Sequence, residues 1–259
     1  MGIDLARFIF WTATKTLALV ILGLMTAKAV RGLRDSGASG TPDRLPYIKG
    51  ALYAAILALV ILGAQNVGTD IAAENYARAS QRNLANSQLP KAYENARRAV
   101  ELRPGERRYW HTLWNAKFAR RQYASLLADR PTLFALGGGK LEEEDAYTCA
   151  AAYYFLAQYD QVIPLTENMI RENRAYAAPY VLQGYTYLAQ KKFAEAERSF
   201  LEVLQTIPTL EVAVAGLAHA HYLRGDRAGA QAVLDETSRF SFSPEARRRF
   251  QDLKALYAQ

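Results

Sequence analysis

The sequence predicts an all-α protein in which a transmembrane helical hairpin precedes a solenoid of helical repeats. Two long apolar runs lie within the first 70 residues, and a helical pattern without alternating β-branched runs follows from residue 73. Similar residues then recur at intervals of 34. We therefore expect two domains: residues 1–70 form the hairpin and its basic loop, and residues 71–259 form about five repeats and a C-terminal capping helix.

The two apolar runs cover about residues 8–27 and 47–68. A helix of about 20 residues spans the roughly 30 Å apolar core of a bilayer, so each run is long enough to cross it. Lys15 lies inside the first run, where we expect it either to snorkel to the membrane surface or to contact a protein partner. A signal peptide is the alternative for this run, although no small-residue cleavage site follows it.

Small residues recur four positions apart in both runs. They are Gly23 and Ala27 in the first run, and Gly50, Ala54 and Ala58 in the second. Such positions let two helix backbones approach closely, which predicts that the two spans pack together. The alternative is that glycine and alanine are simply common in transmembrane helices.

Positive charge between the two runs predicts their orientation. The connector carries five basic residues, namely Lys28, Arg31, Arg34, Arg44 and Lys49. Positively charged loops stay in the cytoplasm, so the repeats after residue 70 would lie across the membrane. In a bacterium this means an integral inner-membrane protein with a periplasmic repeat domain.

Composition argues against several classes of function. The net charge of +7 invites a nucleic-acid partner, but the basic residues are scattered instead of forming a stripe, so we expect none. Cys149 is the only cysteine, which excludes an internal disulfide and a cysteine-based zinc site. We expect no metal, no cofactor and no small-molecule substrate.

Residues 177–210 give the clearest repeat. Large residues lie on one face of a first helix, a small residue lets a second helix approach, and a proline ends the unit. This pattern resembles the tetratricopeptide repeat (TPR) and is carried by Tyr180, Gly184, Tyr187, Phe193, Ala196, Phe200 and Pro208.

Related units begin at residues 73, 107, 143 and 211. The second helix of the unit at 107 is disturbed by Pro131 and by the glycines at 137–139. Ser243 and Pro244 are typical of a helix start, and Phe250, Leu253 and Tyr257 then share one face of a predicted capping helix.

The TPR resemblance implies a right-handed superhelix of antiparallel helix pairs whose groove binds proteins or peptides without catalysis. The family's groove positions fall here on Arg108, His111, Asn115, Phe118, Glu144, Tyr147, Tyr154, Phe155, Tyr185, Leu188, His219 and Tyr222. The family's clamp for a C-terminal carboxylate is not expected, because Val181, Tyr185 and Ala215 replace its lysine and asparagine. The alternative for several of the tyrosines is packing between repeats.

Three patterns that resemble catalytic or ligand sites have simpler explanations. His219 and His221 are two residues apart, so on a helix they point in different directions and form a poor metal pair. The GGGK stretch at 137–140 lacks the spacing of a phosphate loop, and the acidic run at 142–145 suits the start of the next helix. We therefore expect no enzyme.

Two functions remain open. The first is a membrane-anchored scaffold that serves as an accessory or stabilising subunit, or as an assembly factor, of a larger membrane complex. Its partners would be other complex subunits or envelope proteins, with the lipid bilayer around the hairpin. The second is a periplasmic, chaperone-like receptor that binds extended client segments in its groove.

Overall fold

The computed structural model describes residues 45–258. Within this range the chain forms twelve α-helices and one short 3-10 helix, with no strand. The predicted all-α fold is therefore confirmed for these residues. The chain divides into two compact units, residues 1–74 and residues 75–259.

The described part of the first unit is the beginning of helix α1, which extends over Leu45–Ala85. The second apolar run, residues 47–68, lies inside this helix, which continues past Gly68 without a break. Large apolar side chains on this part of α1 are exposed, among them Leu52, Ile56, Leu57, Leu59 and Val60. Within residues 45–258, no helix combines the length and the apolarity that crossing a bilayer requires.

The predicted pairing of two spans stays a prediction. Gly50 is exposed, Ala54 and Ala58 are half-buried, and no described atom lies within 4 Å of a Cβ placed at Gly50. The residues expected to oppose them lie outside the described range; these are the first run, about residues 8–27, with Lys15, Gly23 and Ala27.

The second unit consists of five helical repeats and a final helix. In the first repeat the last turns of α1 pair with α2. The four later repeats begin with α3, α6, α8 and α10, and these helices start at the predicted residues 107, 143, 177 and 211. The bounds are α2 Leu89–Leu102, α3 Arg107–Ala119, α4 Tyr123–Ala128, α5 Arg130–Leu136, α6 Glu143–Phe155, α7 Tyr159–Glu172, α8 Ala177–Ala189, α9 Phe193–Thr206, α10 Glu211–Leu223, α11 Arg227–Glu236, a 3-10 helix Thr237–Arg239 and α12 Pro244–Tyr257.

The turn between the two helices has the same backbone conformation in all five repeats. The central residue of the turn has a left-handed backbone conformation, with φ between 57° and 88°. From the first repeat to the fifth this residue is Ser87, Arg121, Ala157, Lys191 and Gly225. In the fourth repeat Lys191 N donates to Leu188 O at 3.0 Å and Lys192 N donates to Tyr187 O at 2.9 Å. This pair of hydrogen bonds satisfies carbonyl groups at the end of the first helix.

Phe200 packs between the fourth and fifth repeats. Its ring is fully buried and lies between α8 and α10, at Gly184 on one helix and Gly216 on the other. A Cβ placed at Gly184 would lie 2.6 Å from the ring, and one at Gly216 would lie 2.5 Å from it. Both glycines are therefore required for the close approach of three helices.

The second repeat is irregular, as the sequence predicts. Its second helix is divided at Asp129 into α4 and α5, with Pro131 in the first turn of α5. Lys117 of α3 reaches this break, where its buried ammonium donates to the Ser125 carbonyl and to the Asp129 carboxylate. A charged pair thus replaces part of the apolar contact that a continuous second helix would make.

Helix α12 closes the solenoid. Its N-cap is Ser243, whose Oγ accepts a hydrogen bond from Ala246 N at 3.1 Å. Phe250 and Tyr257 are buried against α10 and α11 in a cluster that also contains Leu234 and Phe242. The predicted cap at Ser243 and the shared apolar face of α12 are confirmed.

Candidate functional site

The first helix of each repeat carries the predicted groove residues. The structure brings them into two groups, a polar cluster between α3 and α6 and a row of aromatic rings from α6 to α12. Together these two groups are called the groove surface below.

The polar cluster is centred on Asp145, which is 1% exposed. Its carboxylate accepts a hydrogen bond from Arg107 Nη2 at 2.6 Å, and its Oδ1 lies 2.7 Å from His111 Nδ1. Asn115 contacts the other ring nitrogen of His111 at 3.1 Å, and Glu142 pairs with Arg107. The predicted groove residue His111 therefore joins the second repeat to the third, and Asn115 contacts it from the same helix.

The charges in this cluster stabilise one another. The hydrogen bond to Asp145 raises the pKa of His111, and this effect outweighs the opposing effect of partial burial. Burial alone would raise the pKa of Asp145, but the hydrogen bonds from His111 and Arg107 together lower it. The structure thus favours a protonated imidazole beside an ionised carboxylate.

Two predicted groove residues beside the polar cluster, Arg108 and Glu144, carry exposed charges. The Arg108 side chain is 61% exposed, its Nε lies 3.9 Å from a Glu106 oxygen, and its guanidinium lies over the Tyr109 ring. Glu144 is more exposed still and lies 3.4 Å from His111 Nε2. Both side chains are largely exposed to solvent and also contact neighbouring residues of the chain.

The aromatic row begins on α6. Tyr147 is half-buried with its ring 6.0 Å from that of Tyr176, and Tyr154 contacts the rings of Phe155 and Tyr159. Phe155 stacks on Tyr123 at 4.9 Å and packs edge-on against Phe118, yet it remains 55% exposed. These rings pack between repeats and also remain partly exposed, so the structure shows the packing alternative, and their contact with a partner stays a prediction.

Tyr185 links the fourth repeat to the fifth. Its hydroxyl donates to the Val212 carbonyl at 3.2 Å, and its ring packs edge-on against Phe200. Burial raises the pKa of Tyr185, the neighbouring Tyr154 hydroxyl adds to this shift, and the Arg249 guanidinium opposes it. Leu188, the other predicted position on α8, is buried in the core.

The row ends where α10 meets α12. His219 Nδ1 is hydrogen-bonded to the Tyr257 hydroxyl at 3.1 Å, and the ring of Tyr222 stacks on that of Tyr257 with centroids 4.4 Å apart. Burial lowers the pKa of His219, so this imidazole is neutral at pH 7. The His219 and Tyr222 side chains therefore form a fixed aromatic end to the groove surface.

Two residues of α12 were not predicted as site residues: Tyr257, which ends the aromatic row, and Arg249, which lies near enough to Tyr185 to oppose the rise in its pKa. The sequence interpretation treated α12 only as a cap. A further step of 34 residues from Glu211 reaches Glu245, at the start of α12, so this helix stands where the first helix of another repeat would stand. That step is the signal that would have identified both residues.

The patterns that resemble a metal site and a phosphate loop are explained by contacts with other residues of the chain. His221 lies 2.8 Å from Asp226 while His219 contacts Tyr257, so the two imidazoles diverge. The glycines at 137–139 end α5, and Gly139 N donates to Phe134 O there. Among residues 45–258, no group of His, Cys, Asp and Glu is arranged to hold a metal ion.

Comparison with known proteins identifies the fold. No protein-family model matches the sequence, and neither does any curated protein. Among solved structures, the chain resembles a tetratricopeptide repeat protein from Parabacteroides merdae, with TM-score 0.61 and 14% identity over 91% of this chain and 90% of that one. It also resembles PilW, a type IV pilus biogenesis factor, with TM-score 0.57 and 13% identity over 88% and 97%.

A third similar structure is YrrB, a TPR protein with an unusual peptide-binding site. Its TM-score is 0.52 at 14% identity, over 68% of this chain and 90% of that one. These likenesses show that the chain has a TPR-type fold, which confirms the α-solenoid that the repeat pattern predicts. None of the three points to an enzymatic family.

Proposed function

We propose that this protein is a membrane-anchored scaffold that binds other proteins on its groove surface, as an accessory subunit or assembly factor of a larger membrane complex. The observation that carries the proposal is the series of partly exposed aromatic residues on successive repeats of a TPR-type fold, from Tyr147 and Tyr154 through Tyr185 to Tyr222. Rigid aromatic rings with a polar tip are favoured anchors in protein interfaces because they lose little conformational entropy on binding. YrrB, a protein of the same fold, has a peptide-binding site.

The membrane part of the proposal rests on the apolar sequence runs and on the exposed apolar side chains of α1, and it goes beyond the described helices, none of which is by itself long and apolar enough to cross a bilayer. Six large apolar side chains within residues 52–60 of this helix are exposed, and exposed apolar surface of this extent is costly in water. The basic connector supports a cytoplasmic loop and a periplasmic repeat domain. Carbonate extraction of membranes tests the anchor, and alkaline phosphatase fused after residue 258 tests the orientation. Release by carbonate, or an inactive phosphatase, would contradict this part alone.

The scaffold role is tested by purifying the tagged full chain from its native membrane in mild detergent. Mass spectrometry then identifies the proteins that remain bound. We expect a fixed set of membrane proteins at constant ratio. The same purification with Tyr185→Ala should lose them, whereas Phe240→Ala, which removes an exposed ring outside the groove surface, should retain them. Equal retention by both variants would exclude the groove surface as the docking site.

The second candidate, a receptor for extended client segments, is favoured by the length of the aromatic row across α6, α8, α10 and α12. An extended chain can contact successive rings, whereas a compact domain contacts fewer of them. A changing set of unrelated proteins in the same purification would favour this receptor over a complex subunit.

A further inference from the structure

Among the described residues, Arg249 is an unpaired charge beside the aromatic row of the groove surface. It is exposed on α12, and no hydrogen bond or ion pair joins it to another residue of the described range. Some arginines of this unit have carboxylate partners, as Arg97 has Glu94 and Arg224 has Glu197, whereas the neighbouring Arg247 and Arg248, like Arg249, have none among the described residues. The guanidinium of Arg249 is therefore available to a carboxylate from outside the chain.

The register of α12 places Arg249 toward the groove surface. Arg249, Leu253 and Tyr257 follow one another at intervals of four residues and so share one side of the helix. Tyr257 contacts His219 and Tyr222 on α10, which fixes the direction in which this side faces. Arg248 lies about 100° further round the helix, on the side opposite the buried Phe250.

The acidic residues nearest to Arg249 along α12 are Glu245 and Asp252, one turn before and after it, and neither forms an ion pair with it among the described residues. On α8, α10 and α12, the positions that correspond to the family's groove run from Ala178 to Tyr257, and none of them is Asp or Glu. His219, at one of these positions, is kept neutral by burial. The nearest acidic side chain on α10 is Glu211, at the start of the helix, where it accepts a hydrogen bond from Ser243. Arg249 is thus the single charged side chain at these groove positions.

We propose that this half of the groove surface binds an acidic, extended protein segment, with an Asp or Glu side chain of the partner paired to Arg249 and its neighbouring residues packed on the tyrosine rings. This inference rests on the proposed function and names the chemistry of the partner. A guanidinium forms two parallel hydrogen bonds with a carboxylate, and such bonds are strong where aromatic rings exclude water. Residues 75–259 also carry more basic than acidic residues, 25 Lys and Arg against 20 Asp and Glu, which attracts an acidic partner.

An anionic membrane surface is a different occupant that α12 does not favour. A lipid surface would be contacted by Arg247 and Arg248, which are equally exposed and unpaired within the described residues. Those two side chains point away from the groove surface, and the aromatic rings beside Arg249 form a row suited to a chain. The proposal therefore commits to a protein segment.

The test uses two pools of short peptides with the same aromatic and apolar residues, one with Asp and Glu and the other with Asn and Gln at the remaining positions. Both pools are passed over the immobilised full chain in mild detergent. We expect retention of the acidic pool and about a tenfold loss of its affinity in Arg249→Gln, with Arg248→Gln unchanged.

Three other results of this experiment would contradict the proposal, and each contradicts a different part of it. If both pools are retained equally, the groove binds peptides but does not select acid, and this inference alone fails. If neither pool is retained by the wild-type chain, peptide binding by the groove surface fails with it. If Arg248→Gln loses affinity as Arg249→Gln does, or if the chain binds phosphatidylglycerol vesicles through all three arginines, the site is a general basic surface and the inference is wrong.

Discussion

Asp145 Oδ1 lies 2.7 Å from His111 Nδ1, and this contact joins the third repeat to the second across the irregular helices α4 and α5. The carboxylate is almost completely buried and also accepts a hydrogen bond from Arg107. Removing one partner of a buried ion pair is strongly destabilising, because the remaining charge is then buried without compensation.

Removing the carboxylate should therefore be costly. We expect Asp145→Ala to lower the free energy of unfolding by about 3 kcal/mol, since it leaves Arg107 without its buried partner. Urea unfolding followed by circular dichroism measures this change. The control is Asp252→Ala on α12, an exposed residue without an ion pair in the described range, which should change stability little. Equal effects of the two substitutions would contradict the role of Asp145.

The same cluster predicts how stability depends on pH. The lowered pKa of Asp145 contributes stability above its unfolded pKa of about 3.9, and this is lost as the pH falls through the folded value. The raised pKa of His111 contributes stability below its unfolded pKa of about 6.5, and this is lost as the pH rises through the folded value. The contribution is thus greatest between about pH 4 and 6.5. We expect the fall in unfolding free energy above this window to be smaller in His111→Gln; equal falls would refute the assignment.

Phe200 and its two glycines predict a coupled pair of substitutions. Gly184→Ala should destabilise the protein by about 1–3 kcal/mol, because the new Cβ would lie 2.6 Å from the Phe200 ring. Combining it with Phe200→Leu should cost less than the sum of the two single changes, since a smaller side chain frees the space. Thermal unfolding of the four proteins gives the coupling. Additive effects would mean that the cost of Gly184→Ala does not come from contact with the Phe200 ring.

The start of each repeat could be predicted from the sequence, because it depends on residues that recur at fixed positions within the repeat. Small residues such as Ala196 and terminal prolines such as Pro208 recur at fixed intervals, and the helix starts follow from them. The role of Asp145 was not readable. It was interpreted as part of an acidic run that suits a helix N-terminus, yet the side chain is buried beneath His111. Only the packing of one repeat on the next determines this.

The groove surface shows the same limit. Tyr147, Tyr185 and Tyr222 were predicted on the correct helices, because position within a repeat follows from helical register. Whether each ring faces outward depends on its neighbours, as Tyr185 is held by the Val212 carbonyl and Tyr222 by the Tyr257 ring. These contacts join residues 27 and 35 positions apart and leave no local pattern.

The left-handed turns offer a way to stabilise the protein. Four of the five carry a residue with a side chain, which costs about 1–2 kcal/mol in this conformation relative to a right-handed one. We expect Lys191→Gly to raise the free energy of unfolding by about 1 kcal/mol. Ala189→Gly, two residues earlier at the end of helix α8, should instead lower it by about 1 kcal/mol. Chemical denaturation of both variants checks the opposite signs, and a loss in both would contradict the turn's role.

Cys149 provides a probe of the second and third repeats. It is fully buried on α6 beside Trp114, and burial raises the pKa of its thiol to about 11. A protonated, inaccessible thiol does not react with a disulfide reagent, because the thiolate is the nucleophile. We expect no reaction in the native protein at pH 8 and reaction at the rate of local opening when urea is added. Ser125→Cys, at an exposed position on α4, should react at once under native conditions. Fast native labelling of Cys149 in the wild-type chain would show that α6 does not pack on α3 as described, and the polar cluster around Asp145 would then be open as well.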